Sequence, residues 1–129
     1  MAQAAVEVPA ALVHPLRETV LLLYRAALEA LHGAFRDDEE VVAQRERVRQ
    51  LDALLDQLGW PGPPGDEARL LTGHADLLGD ALHGALIDAG ERLAVACTAS
   101  WRGEAGEDSV RAAAREVIDL DRLLRELEA

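Results

Sequence analysis

Val20, Ala27, Ala34, Val41, Val48 and Leu55 recur every seven residues, and Leu16, Leu23, Ala30, Asp37, Gln44, Leu51 and Leu58 form a companion series. Alternating three- and four-residue steps stack side chains on one face of an α-helix, where they make a seam for a second helix. The spacing returns in Leu78, Leu82, Ala85, Ala89, Leu93 and Ala96, and again in Val110, Ala113, Val117, Leu120, Leu124 and Leu127. A half-buried strand needs a period of two, and no such stretch is read along the chain. The pattern predicts an all-α fold: one antiparallel, up-down four-helix bundle with heptad-like seams. Its helices are expected near 15–33, 37–58, 66–101 and 108–128, in a single domain spanning 1–129 whose first 14 residues are loosely ordered.

Proline and glycine punctuate this pattern. Pro15 suits the first position of the first helix because its fixed φ is already helical. The run Gly59-Trp60-Pro61-Gly62-Pro63-Pro64-Gly65 cannot continue a helix, since proline lacks the amide donor and clashes with the preceding turn. Trp101-Arg102-Gly103-Glu104-Ala105-Gly106 marks a second corner, with Asp108 or Ser109 available as N-cap. Each corner reads W-x-G-x-x-G, so each tryptophan is expected to close the core beneath a glycine turn. A third turn is expected at 33–37, where Gly33 can end a helix and Asp37-x-x-Glu40 fits a capping box; the alternative, from the unbroken heptads, is one helix from Pro15 to Leu58. The stretch around His32-Gly33 is echoed around His83-Gly84, so the long third helix is read as kinked near Gly84–Asp88, or as continuous if the echo is coincidence.

Composition narrows the classes. Thirteen arginines against 24 acidic residues give a net charge of −11, dispersed along the chain, which repels a phosphate backbone and argues against nucleic acid. Lysine and asparagine are absent, as expected of a GC-rich bacterial genome; that bears on codons and not on mechanism. One cysteine, Cys97, allows no internal disulfide, and its alanine-rich setting predicts a small buried thiol. The N-terminus has no basic region ahead of its apolar residues and carries Glu7, and no run of apolar residues is long enough to span a membrane. A cytoplasmic protein with no membrane partner and no cofactor is the expectation.

Four polar residues interrupt the apolar stripes. His74, Ala81, Asp88 and Val95 form one heptad series, Asp88 and Arg92 are i, i+4 partners, and Gln44 interrupts the second helix's seam. Buried polar groups are costly unless paired, so Gln44, His74, Asp88 and Arg92 are read either as a layer that fixes helix register or as the lining of a ligand pocket. Glu29-x-x-His32 and Asp80-x-x-His83 have the spacing of carboxylate-bridged metal bundles. They fall on the charged side of their helices, however, and are read as solvated. No nucleophile with a base beside it, no phosphate-cradling loop and no His-x-x-Lys-Gly phosphotransfer pattern is present. Enzymatic activity is therefore not expected.

Residues 67–129, a helix, Trp101-Arg102-Gly103-Glu104-Ala105 and a second helix, resemble the helix–WxG–helix hairpin of WXG100 proteins. The resemblance implies an antiparallel hairpin, dimerisation and export by a dedicated secretion system. The chain departs from that pattern in its tyrosine: Tyr24 is the one tyrosine, so no Tyr-x-x-x-acid export signal follows the second helix. In the first helix, Leu21, Leu22 and Leu28 fall outside the seam, more apolar surface than one bundle core can bury. The expected function is a protein–protein interaction, scaffold or oligomerisation module, partnered by a second copy of itself in a homodimer or by another helical protein. A regulatory bundle that binds a small molecule or metal through its polar interior is the alternative, and a WXG100-like exported protein is the weaker one.

Overall fold

In the computed structural model, which describes residues 3–33 and 38–128, the protein is mostly helical, with four helices and a small two-stranded sheet. The sheet overturns the expectation of helix alone. Gln3–Val8 (β1) pairs antiparallel with Arg69–His74 (β2), from Gln3 opposite His74 to Val8 opposite Arg69. Residues 3–8 are thus an ordered strand, not a loose tail, and 69–74 are strand where helix was expected. The physical reason is alternation: Val6 and Val8 point into the core while Gln3, Ala5, Glu7 and Pro9 face solvent. On β2 only Leu71 is fully buried, and its neighbour Leu70 is exposed. Gln57 covers the outer edge of β2. Its side-chain oxygen accepts the Thr72 amide proton at 2.8 Å, and its amide donates to the Thr72 carbonyl at 3.2 Å.

The helices are Ala10–Gly33 (α1), Asp38–Gln57 (α2), Ala75–Trp101 (α3) and Glu107–Glu128 (α4). Pro15 does not open α1. The helix starts at Ala10, the Leu12 amide donates to the Pro9 carbonyl at 2.9 Å, and Pro15 lies inside. α1 runs to Gly33 and α2 starts at Asp38; residues 34–37 of the expected turn, including Asp37 of the capping box, lie outside the described residues. No break separates Gly84 from Asp88, and α3 is one element.

The two glycine corners end their helices by the same hydrogen bonds. After α2, the Gly59 amide donates to Asp56 and the Trp60 amide to Leu55; after α3, Gly103 donates to Ser100 and Glu104 to Ala99. Each is the 5→2 and 6→1 pair that closes a helix on a left-handed residue, and Gly59 and Gly103 have φ of +83° and +74°. The tryptophans are not equivalent in this frame. Trp60 follows its glycine, whereas Trp101 is the last helical residue, two positions before Gly103. Contrary to expectation, neither closes the core: Trp101 is 94% and Trp60 38% exposed, and neither belongs to the core cluster.

Burial is concentrated at the end of the molecule that carries the sheet. Val8, Leu12, Val13, Leu16 and Val20 meet Leu51, Leu54, Leu55 and Leu58 there, with Leu71, Leu78, Ala81, Leu82, Leu120 and Leu123 completing the cluster. We call this end the base and the opposite ends of the α1–α2 and α3–α4 pairs the tips. The hairpins meet chiefly through α1 and α3 and through the sheet. Thr19 and Gly84 mark how close α1 and α3 come: a Cβ on Gly84 would lie 2.8 Å from the Thr19 methyl carbon. Between α3 and α4, Gly79 lies near Leu127 and Arg92 pairs with Glu116.

Candidate functional site

One face of α3 shows what separates base from tip. Residues spaced by seven share a helix face, and Ala81, Asp88 and Val95 are such a series. Ala81 is 1% exposed against the base core, Asp88 is half-buried, and Val95 is 69% exposed. The chemistry of the face has not changed, but its cover has ended. Val95 instead lines two shallow surface depressions, one shared with Asp88, Glu91, Arg92 and Ala96, the other with Ala94, Thr98, Ala99, Arg102 and Glu104. Leu93, Ala96, Val110, Ala113 and Val117, which face the interior of the same hairpin, are only half-buried.

Two residues expected inside are outside. Cys97 is exposed, because it lies on the side of α3 turned away from both α1 and α4, one turn before the outward Trp101. The first hairpin is uncovered as well. Leu22 is 61% and Leu28 37% exposed, while Leu21 is half-buried and packs on the edge of the core. Val42 and Ile118 are exposed singly, which is ordinary for a protein surface, whereas the exposed Ile87 lines a groove with Leu124 and Leu127.

The four polar residues singled out in the sequence are distributed along the molecule. His74 is not on a helix: it ends β2 and serves as N-cap residue of α3 at the base, half-buried, without a side-chain cap bond. Asp88 and Arg92 share the depression beside Val95, but Arg92 pairs with Glu116 of α4 and not with Asp88. Gln44 is half-buried on α2. The Gln44 side-chain oxygen and His74 Nδ1 are both buried without a hydrogen-bond partner, so no bond joins either atom to the other three residues.

Two arginines carry similar unpaired atoms. Arg17, on α1 and 8% exposed, has a buried Nη1 with no partner, and Arg69 has a buried Nε with none. The Arg69 guanidinium is packed beneath the glycine corner, 2.9 Å from where a Gly59 Cβ would stand. Both lie in the base, Arg17 on α1 and Arg69 on β2. Sequence periodicity gives no warning of Arg17, which sits at the margin of the α1 seam.

The Glu29/His32 and Asp80/His83 pairs are exposed, as read from the sequence; Glu29 pairs with Arg25 at 3.3 Å and Asp80 with Arg47 at 3.7 Å. Asp76, Asp80, His83 and Glu128 do border a broad groove of about 670 Å³ between α3 and α4. Among the described residues, however, no three His, Cys, Asp or Glu side chains converge as metal ligands would. None of the described helices is long and apolar enough to cross a membrane. No protein family matches the chain, and neither a curated protein nor a solved structure is similar to it. The WXG100 resemblance therefore rests on the residues around Trp101 alone.

Proposed function

We propose that this chain is a non-enzymatic interaction module: an antiparallel four-helix bundle, packed at its base and open at its tips, that binds a second copy of itself or another helical protein. One observation carries the reading. The face of α3 that α1 and the base core cover at Ala81 continues uncovered to Val95, with Leu22 and Leu28 exposed on the neighbouring hairpin. A helix face apolar enough for a core but left in water marks a place where another surface packs. The charged side chains support the reading where they form surface ion pairs, as in Arg25–Glu29, Arg47–Asp80, Arg111–Glu107 and Arg125–Asp121. A cytoplasmic setting is part of this proposal.

The competing reading, a regulatory bundle with a ligand among Gln44, His74, Asp88 and Arg92, differs in a measurable way. A ligand specific to the folded state raises stability by RT ln(1 + [L]/Kd). A thermal-shift panel of metabolites and divalent cations is expected to leave the melting temperature unchanged. A saturable rise with any one compound would overturn the interaction module in favour of the ligand-binding bundle.

A further inference from the structure

We infer that a second copy of this chain pairs with the open edge of β1, strand against identical strand, joining two small sheets into one of four strands in the order β2-β1-β1-β2. The inference goes beyond the interaction-module reading: it concerns the sheet and not the α3 face, and the two fail separately.

The two edges of the sheet are finished differently. In an antiparallel pair, alternate residues of each strand turn their amides and carbonyls toward the partner, and the others turn them away. On the outer side of β2, Gln57 meets those groups, accepting from the Thr72 amide and donating to the Thr72 carbonyl. On the outer side of β1 no third strand follows, and among the described residues no group forms a hydrogen bond there. Glu7 and Pro9 border instead a depression of about 500 Å³ shared with Arg115 and Arg122 of α4.

Sheet edges are commonly blunted by a proline, a lysine, a bulge or an inward charge. β1 has none of these. Its pairing with β2 is unbroken, Pro9 lies beyond it, and its one charged side chain, Glu7, is on the solvent face. An edge of this kind is recognised by an extended strand, which supplies amides and carbonyls at the matching spacing.

The sequence of β1 suits its own copy. Outward-turned residues alternate, so odd positions must meet odd positions and even must meet even. An antiparallel pairing centred on Ala5 does this over residues 3–7. On the solvent face it sets each Gln3 amide opposite a Glu7 carboxylate and Ala5 opposite Ala5; on the core face it sets Ala4 opposite Val6. The two Glu7 carboxylates then stand about 14 Å apart along the strands. Centred on Val6, they would be diagonal neighbours at about 7–8 Å, where like charges oppose pairing. Ala4, half-buried at the margin of the core, gains cover from the second copy. The contact is isologous and closes at two chains.

The test combines light scattering with register-specific cross-linking of the full chain, after Cys97→Ser removes the native thiol. The unmodified chain is expected at twice 13.9 kDa in the micromolar range. Directly opposed residues have Cα atoms about 4.5 or 5.5 Å apart, within the ~4.4–6.8 Å that a disulfide spans. Ala5→Cys is therefore expected to oxidise to a covalent dimer, while Gln3→Cys, about 14 Å from its counterpart, stays monomeric on a non-reducing gel. Ala5→Lys sets two like charges face to face and is expected to weaken the dimer about tenfold, while Val42→Glu on α2 leaves it intact. Far-UV circular dichroism checks that the variants stay folded. A monomer at every concentration, a dimer indifferent to Ala5→Lys or broken equally by Val42→Glu, or cross-linking through Gln3→Cys as fast as through Ala5→Cys would each overturn the inference. None of these outcomes touches the interaction-module reading, which the thermal-shift panel tests by itself.

Discussion

The lower and upper halves of α3 have the same heptad spacing and nearly the same residue types, yet Leu78, Ala81 and Leu82 are almost fully buried while Val95 stands in water. The difference lies in what faces them. α1, α4 and both strands contact α3, and the fully buried positions along it end at Ala89. Burial is therefore a property of the neighbour as much as of the seam. A heptad repeat states that a helix wants cover, and only the assembled fold says where that cover stops.

The largest expected contrast sets a base leucine against a tip valine on this one helix. Leu82→Ala removes a side chain that is 1% exposed and is expected to cost about 2–5 kcal/mol through lost burial and a cavity. Val95→Ala, measured in dilute protein, is expected to stay within about 0.5 kcal/mol, as an exposed position does. Urea midpoints of the two variants settle it. Equal losses would mean that the tip is packed within the single chain and would erase the distinction between the halves.

A smaller and sharper comparison uses two glycines of α3. Gly84→Ala places a methyl 2.8 Å from the Thr19 methyl carbon and is expected to destabilise by about 1–2 kcal/mol despite alanine's better helix propensity. Gly90→Ala meets nothing within 4 Å and is expected to stabilise by up to about 1 kcal/mol, since alanine restricts the unfolded chain and favours helix. Thr19→Ala should relieve most of the Gly84→Ala cost in a double-mutant cycle. Two substitutions of one kind, less than two turns apart, should thus move the melting temperature in opposite directions.

Much of the helical frame was legible in the chain. The heptad series located four helices, and the glycine corners ended α2 and α3 where Gly59 and Gly103 now adopt positive φ. The strands were not legible, for a physical reason. β1 shows its period of two over only Ala4, Val6 and Val8, and on β2 the adjacent Leu70 and Leu71 blur the alternation. Leu71, His74 and Leu78 also happen to fit a helical stripe, so β2 was drawn into α3 and His74 with it. What makes β2 a strand is β1, which pairs with it from the far end of the chain. The shared W-x-G-x-x-G spacing suggests two inward tryptophans, yet both are exposed, and the spacing hides their different places around the terminal glycine. Val95 stood in the same heptad series as His74, Ala81 and Asp88, yet periodicity alone could not tell the covered member from the uncovered one.

Amide hydrogen exchange on the dilute chain tests most directly whether the base carries the fold and the tips are open surface. Amides in 51–58, 77–89 and 120–124 are expected to exchange only through global unfolding, and those in 22–33, 92–101 and 107–116 through local opening, orders of magnitude faster. Uniform protection along each helix from base to tip would contradict that division.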